Sequence, residues 1–137
     1  MRSFSAWRTG AVTGLLMLLA GPGHSQPAGG PHPMLTRLEA GRWELRGGSG
    51  NARIGTICLG NPILLTQPRH GAAPCTRDVV AADADSMTVN YTCPGAGRGR
   101  TTLRFETPRL VQIDSQGLDR GMPFALRAEA RRVGPCT

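Results

Sequence analysis

Apolar and polar residues alternate along the second half of segment 75–93. The side chains of Met87, Val89 and Tyr91 fall on one face of an extended chain, and the residues between them are polar. A period of two is typical of a strand with one buried face. The Asp- and Ala-rich centre at 82–86 predicts a turn, so the two halves of the segment are expected to form a hairpin.

The hairpin has a register that can be predicted from its turn. If the chain reverses at 82–86, Arg77 stands opposite Tyr91 and Cys75 stands opposite Cys93. Directly opposed strand residues have Cβ atoms about 4.5–5.5 Å apart, which is near the separation that a disulfide needs. We therefore predict a Cys75–Cys93 disulfide at the open end of the hairpin.

Two further cysteines lie outside this hairpin, at Cys58 and Cys136. An even number of cysteines in a small exported chain implies disulfides, and four cysteines allow three connectivities. The hairpin selects one of them, so the second predicted bridge is Cys58–Cys136. Free buried thiols are the alternative, and they fit an exported chain poorly.

The same alternation predicts five more strands outside the hairpin. They cover residues 41–46, 53–58, 101–106, 109–115 and 124–132. After Cys58, Asn61 offers an N-cap and Pro62 a first helical residue, so one short helix is expected over 63–67.

Glycine and proline predict the connections between these strands. The Gly- and Arg-rich stretch 94–100 and the segment 116–123 are both expected to be loops. We predict an all-β fold, a small antiparallel meander of about seven short strands that forms a twisted sheet or a small barrel.

The N-terminal residues have the pattern of a secretory signal peptide. Arg2 and Arg8 precede an apolar run at 11–20, and small residues follow as far as Ser25. We predict cleavage after Ser25. The apolar run is too short to span a bilayer, which requires about 20 residues. Because Pro22 stands where a lipobox would place its cysteine, we expect an unlipidated, periplasmic or secreted protein.

Three regions follow from this division. They are a signal peptide (1–25), a disordered Pro/Gly leader (26–33) and a single disulfide-stabilised β domain (34–137). The domain is large enough for a modest core. We expect no transmembrane segment in the mature chain, and we expect a monomer.

The net charge and the composition do not alter the prediction of an exported β domain. Every basic residue is arginine, and the formal net charge is +7. A basic balance can indicate a nucleic-acid partner. However, the arginines are spread along the chain, beside abundant Gly, Ala and Pro, as coding bias in a GC-rich genome also produces. The aromatic residues of the domain fall on apolar strand faces and leave no stacking platform, so we expect no nucleic acid.

Residues that could carry catalysis are few. His32 lies in the leader, and His70 lies in a Pro/Gly loop, where a solvated histidine is expected. Asp83 and Asp85 occupy a predicted turn, where aspartate commonly bonds to its own backbone. The cysteine spacings contain no Cys-x-x-Cys pair. We predict no enzyme activity, no metal site and no cofactor.

Four residues are candidates for ligand binding: Arg77, Tyr91, Arg98 and Arg100. Arg77 is an inward-facing charge opposite Tyr91, and two interpretations stay open for it. Its guanidinium could lie over the tyrosine ring with its head at the sheet edge. It could instead bind an anion at the mouth of a barrel.

Several short motifs occur in an order that resembles one protein family. They are Gly41-Arg-Trp-Glu, Cys58 with the Pro-initiated apolar helix after it, Cys75-Thr, a strand ending at Cys93, and Arg131-Arg-Val-Gly-Pro-Cys136. Over residues 38–136 this order resembles the exported proteobacterial family catalogued as domain of unknown function 3617. The resemblance implies a periplasmic, disulfide-bonded β-protein, and it implies no activity.

The predicted function is therefore binding without catalysis. We expect a domain that binds a small ligand, such as an amphiphile, or a component of the cell envelope. The alternative is a secreted inhibitor or interaction module that presents a disulfide-backed loop to an enzyme, with Arg69 or Arg120 as its exposed anchor.

Overall fold

A computed structural model describes residues 32–48 and 50–137. The predicted signal peptide (1–25) and most of the predicted leader (26–33) lie outside the described residues.

Seven strands form one antiparallel sheet in the order β2-β1-β7-β6-β5-β4-β3. Their bounds are β1 (Gly41–Gly47), β2 (Ala52–Leu59), β3 (Thr76–Ala82), β4 (Ser86–Cys93), β5 (Gly97–Thr107), β6 (Leu110–Asp119) and β7 (Met122–Gly134). Strands β3 to β7 follow one another as a meander, and β7 then pairs with β1. The predicted all-β fold is confirmed as an open sheet, with β2 and β3 at its edges in the part of the chain described here.

Two short helical elements accompany the sheet. Helix α1 (Pro33–Thr36) precedes β1, and a 3-10 helix (Pro62–Thr66) follows β2. The side chain of Asn61 accepts a hydrogen bond of 3.1 Å from the backbone N–H of Ile63, as expected of an N-cap. The predicted helix after Cys58 is thus present as one 3-10 segment. Within the described residues, neither helical element has the length and apolarity that crossing a membrane requires.

The core lies on one side of the sheet, which we call the covered face. Successive strand residues point to opposite faces, and on β1, β4, β5, β6 and β7 one alternating set is buried or half-buried. The edge strands contribute less, since β2 buries Leu59 and the side chains of β3 are exposed except for the half-buried Arg77. The apolar cluster joins sheet residues to residues of the helical elements and their flanks, and its members are Met34, Leu35, Leu38, Trp43, Leu45, Leu59, Leu65, Met87, Val89, Leu103, Val111, Ile113, Ala128 and Ala130. Full burial of a side chain such as Leu or Met contributes about 1.5–3 kcal/mol. The opposite side, the open face, carries mostly exposed polar side chains.

The predicted hairpin is confirmed in register as well as in type. Arg77 pairs with Tyr91 across β3 and β4. The Cys75–Cys93 disulfide closes the end of the hairpin, with its Cα atoms 4.1 Å apart. The second bridge joins Cys58 to Cys136 across a sequence separation of 78 residues. Both predicted disulfides are therefore present.

The loop predicted at 116–123 is wrong. Strand β6 continues to Asp119 and β7 begins at Met122, so only Arg120 and Gly121 form the turn. Both have positive φ, 50° and 82°, as a two-residue hairpin turn of the primed type requires. Pro123 is tolerated because, within the described chain, β7 pairs only with β6 at that position.

The loop predicted at 94–100 is also too long, since β5 begins at Gly97. A Cβ atom at Gly97 would lie 2.7 Å from His70 Nε2, and one at Gly99 would lie 2.5 Å from Tyr91 Oη. These glycines therefore leave room for two rings on the covered face, and they do not mark a flexible segment.

Candidate functional site

The four predicted ligand-binding residues lie on two faces of the sheet. Arg77 and Tyr91 belong to the covered face, where Tyr91 is 2% exposed. Arg98 and Arg100 are exposed and belong to the open face. The sequence grouped them into one candidate site, and the structure separates them into two clusters.

In the first cluster, Arg77 holds a loop against the sheet. Its guanidinium donates to the side-chain oxygen of Gln67 and, at 3.1 Å, to the backbone oxygen of Cys75. The amide nitrogen of Gln67 in turn donates to the backbone oxygens of Gly71 and Ala73 at 2.7 and 2.8 Å. Burial lowers the pKa of Arg77 from its ordinary value. The contacts of Arg77 thus tie the loop before β3 to the sheet.

Tyr91 and His70 form the second part of this cluster. The hydroxyl of Tyr91 lies 3.1 Å from Nδ1 of His70, and the two rings meet edge to face with centroids 5.4 Å apart. Burial raises the pKa of Tyr91, a hydrogen bond with Ser115 opposes that effect, and the charge of Asp119 adds to it. Because the ring of Tyr91 is enclosed, this polar cluster stabilises the covered face and does not offer its hydroxyl to solvent.

His70 is the residue that sequence reasoning placed wrongly. A solvated loop histidine was expected, but His70 is half-buried and its Nε2 atom is enclosed without a partner among the described residues. The signal that could have found it is the pair Gly97 and Gly99, whose missing side chains face the two rings. Ser115 was missed as well, since it is a buried polar residue in an apolar alternation.

The second cluster is an arginine stripe on the open face of β5. Arg98, Arg100 and Arg104 are all exposed. Arg100 lies between Asn90 on β4 and Gln116 on β6. No hydrogen bond or ion pair joins these three guanidinium groups to another described residue.

Most arginines elsewhere on the open face are neutralised by a carboxylate. Arg127 binds Asp114 at 3.1 Å, and Arg131 binds Glu129 at 2.9 Å. On β1, Arg46 binds Glu44 at 2.5 Å. Arg42, at the start of β1, is a further exposed arginine without such a partner in the described chain. Uncompensated positive charge on this face is therefore concentrated along β5.

A shallow groove of about 640 Å³ crosses the open face at this stripe. One transverse row of paired residues passes under it, running from Tyr91 through Gly99 and Gly117 to Phe124. Since the side chains of Tyr91 and Phe124 reach the covered face, where His70 contacts both rings, this row presents its backbone to the groove.

The floor of the groove is this backbone row, and its walls are the rows of paired residues on either side of it. One wall carries Thr92, Arg98 and Leu118, and the other carries Asn90, Arg100 and Gln116. Arg98 and Arg100 thus stand on opposite walls, about 6.8 Å apart along the strand. Guanidinium groups bind phosphate and carboxylate oxygens through paired N–H donors, and a group held between the walls can be reached from both sides.

The residues proposed for other roles have local partners. Asp83 accepts hydrogen bonds from the backbone N–H groups of Asp85 and Ser86 at 2.9 and 2.8 Å, so it shapes the β3–β4 turn as expected. The carboxylate of Asp85 binds Arg37 at 2.7 Å. In the described residues no group of three or more His, Cys, Asp or Glu side chains could hold a metal ion.

The two arginines considered as anchors for an enzyme inhibitor differ in their surroundings. Arg69 binds Asp119 at 3.0 Å, so its charge is engaged with the sheet. Arg120 lies at the tip of the β6–β7 hairpin, where its guanidinium is 3.7 Å from the same carboxylate and its side chain is 84% exposed. Neither residue stands on a loop that a disulfide closes directly.

Comparison of the chain with protein-family models, curated proteins and solved structures found no match. The resemblance to the domain of unknown function 3617 family stays a prediction.

Proposed function

We propose that this protein is an exported, non-enzymatic domain that binds an anionic ligand in the open-face groove between Arg98 and Arg100. The observation that carries the proposal is the arginine stripe of β5. Among the described residues its guanidinium groups have no carboxylate partner, whereas Arg46, Arg127 and Arg131 on the same face each have one.

The neighbours of the stripe support an anion rather than a cation or a neutral sugar. Asn90 and Gln116 flank Arg100 with amide groups, and Thr92 lies beside Arg98. These side chains can donate hydrogen bonds to anion oxygens without adding negative charge. A bound anion would also reduce the repulsion between the like charges of Arg98 and Arg100.

Export is part of the proposal, and two observations support it. Two disulfides are typical of proteins that fold in an oxidising compartment. The pattern of residues 1–25 predicts the signal that would direct the chain there. N-terminal sequencing of the protein recovered from the periplasm should begin at Gln26, and an uncleaved cytoplasmic chain would count against export.

Calorimetric titration with inorganic pyrophosphate tests the binding site. We expect the substitution Arg100→Ala to weaken pyrophosphate binding about tenfold, because a charge-assisted hydrogen bond is lost. Arg127→Ala is the matched control, since it removes an arginine from the same face that is already paired with Asp114. Equal affinity of all three proteins, or no binding to any of them, would refute the proposed site.

A further inference from the structure

The groove changes character along its length. Its β4–β5 end is polar and carries the two arginines, as described above. Toward β7, the wall position next to Arg98 is Leu118, and Leu118 pairs with Pro123. On the other wall, Gln116 pairs with Ala125. Beyond the two arginines, Leu118 lines the groove, and the open face next to it carries the apolar side chains of Pro123 and Ala125.

These apolar residues are available to a ligand. Pro123 and Ala125 are exposed and Leu118 is half-buried. At the same end of the sheet, Met122 is 73% exposed. The core lies on the covered face, so Leu118, Pro123 and Ala125 on the open face are not packed into it.

We infer that the ligand is a single-chain anionic amphiphile, whose phosphate-type head lies between Arg98 and Arg100 and whose alkyl chain lies across β6 and β7 over Leu118, Pro123 and Ala125. This inference rests on the proposed function, because it uses the same anion site. The groove volume of about 640 Å³ falls within the range of small-molecule sites.

The order of charge and apolar surface fixes the direction of the ligand. The anion is attracted by the unpaired guanidinium groups, and each methylene that leaves water over Leu118 adds to the affinity. On β7, the arginine nearest to Ala125 on the open face is Arg127, and its charge is already paired with Asp114. The head group is thus favoured at β5 and the tail at β7.

The experiment compares dodecyl phosphate with butyl phosphate by calorimetry, with dodecyl phosphate kept below its micelle concentration. We expect dodecyl phosphate to bind about tenfold or more tightly, because its chain covers more apolar surface. Dodecyl maltoside, which has the same chain and a neutral head, should bind at least tenfold more weakly than dodecyl phosphate.

Substitutions assign the two ends of the ligand. Leu118→Asn should reduce the ratio of dodecyl phosphate affinity to butyl phosphate affinity. Ile54→Asn is the control and should keep that ratio, since Ile54 is an exposed apolar residue on the edge strand β2. The thermal unfolding of each variant is compared with that of the unsubstituted protein. If Leu118→Asn does not fold, the comparison of dodecyl phosphate with butyl phosphate in the unsubstituted protein still tests the alkyl-chain site.

The possible results test the alkyl-chain site and the anion site separately. Equal affinity for the two phosphates would overturn the alkyl-chain site and leave the anion site standing. Absence of binding by either phosphate would overturn both. Maltoside binding as tight as dodecyl phosphate binding would show an apolar site without a role for the arginines, and it would also overturn both.

Discussion

Tyr91 is the only tyrosine of the chain, so its ionisation can be followed without interference from another phenol. Its pKa is raised above the ordinary value of 10.0, first by burial and then by the charge of Asp119, against the hydrogen bond with Ser115. We expect the phenolate absorbance near 295 nm to rise only at a pH above 10 in the folded protein. A midpoint at or below 10 would contradict the burial of this hydroxyl.

The raised pKa of Tyr91 also makes the stability of the folded protein depend on pH. Above pH 10 the unfolded chain releases the Tyr91 proton while the folded protein retains it, so the folded state binds more protons and the free energy of unfolding falls as pH rises. Urea unfolding at pH 9 and pH 11 should show this loss. In Tyr91→Phe the pH dependence should be smaller, because the titrating group is gone. If the free energy of unfolding of Tyr91→Phe had the same pH dependence as that of the unsubstituted protein, other residues would be its cause.

The position of Arg77 was predicted correctly from the sequence, but its hydrogen-bond partners were not. The register that set it opposite Tyr91 is confirmed. Its partners, however, are Gln67 and the backbone of Cys75. Local alternation determines which face a side chain takes, but the loop that meets it comes from elsewhere in the chain. The pairing was therefore predictable and the hydrogen-bond partner was not.

The two disulfides act on different elements, and their removal should differ in cost. Cys75–Cys93 closes a separation of 18 residues within one hairpin, whereas Cys58–Cys136 joins β2 to the end of the chain across 78 residues. In the chain-entropy relation these correspond to about 3 and about 4.5 kcal/mol. Urea unfolding of the two double Cys→Ala variants should therefore show the larger loss without Cys58–Cys136. The reverse order would mean that native contacts, not loop closure, dominate.

At the level of elements, the strands with regular alternation were predictable and the connections were less so. The β3–β4 hairpin, β1 and the Asn61-capped turn follow from local patterns. The strands were underestimated at Gly97–Arg100 and at 116–119, where glycine suggested a loop. Gly97 and Gly99 leave room for the rings of His70 and Tyr91, whereas a Cβ atom at Gly117 would meet the backbone of β5. Such approaches are long-range contacts, and no local pattern contains them.

The candidate site depends on register across four strands. Arg98 and Arg100 were singled out from the sequence, but as loop residues grouped with Arg77. Only the pairing of β4, β5, β6 and β7 brings Asn90, Gln116 and Leu118 to them. A pairwise register could be inferred for one hairpin from its turn at 82–86, and the opposed Cys75 and Cys93 agreed with it. The remaining registers had no comparable sequence marker.

At the scale of the whole molecule, the sheet separates two roles. The covered face holds the core, the Tyr91 cluster and the loop fixed by Arg77. The open face carries the arginines, and those away from β5 are largely paired with carboxylates. On this open face, Arg98, Arg100 and Arg104 are exposed without an ion-pair partner among the described residues, and they are the basis of the proposed binding function.

Mapping of amide chemical shifts during titration with pyrophosphate is a direct test of anion binding at β5. In the ¹⁵N–¹H spectrum of the assigned protein, we predict that the amides of residues 98–100 and 116–118 shift together and saturate. Those of residues 44–46, beside an arginine already paired with Glu44, should remain unchanged. Shifts confined to other strands, or no saturable shift at β5 and β6, would contradict the account.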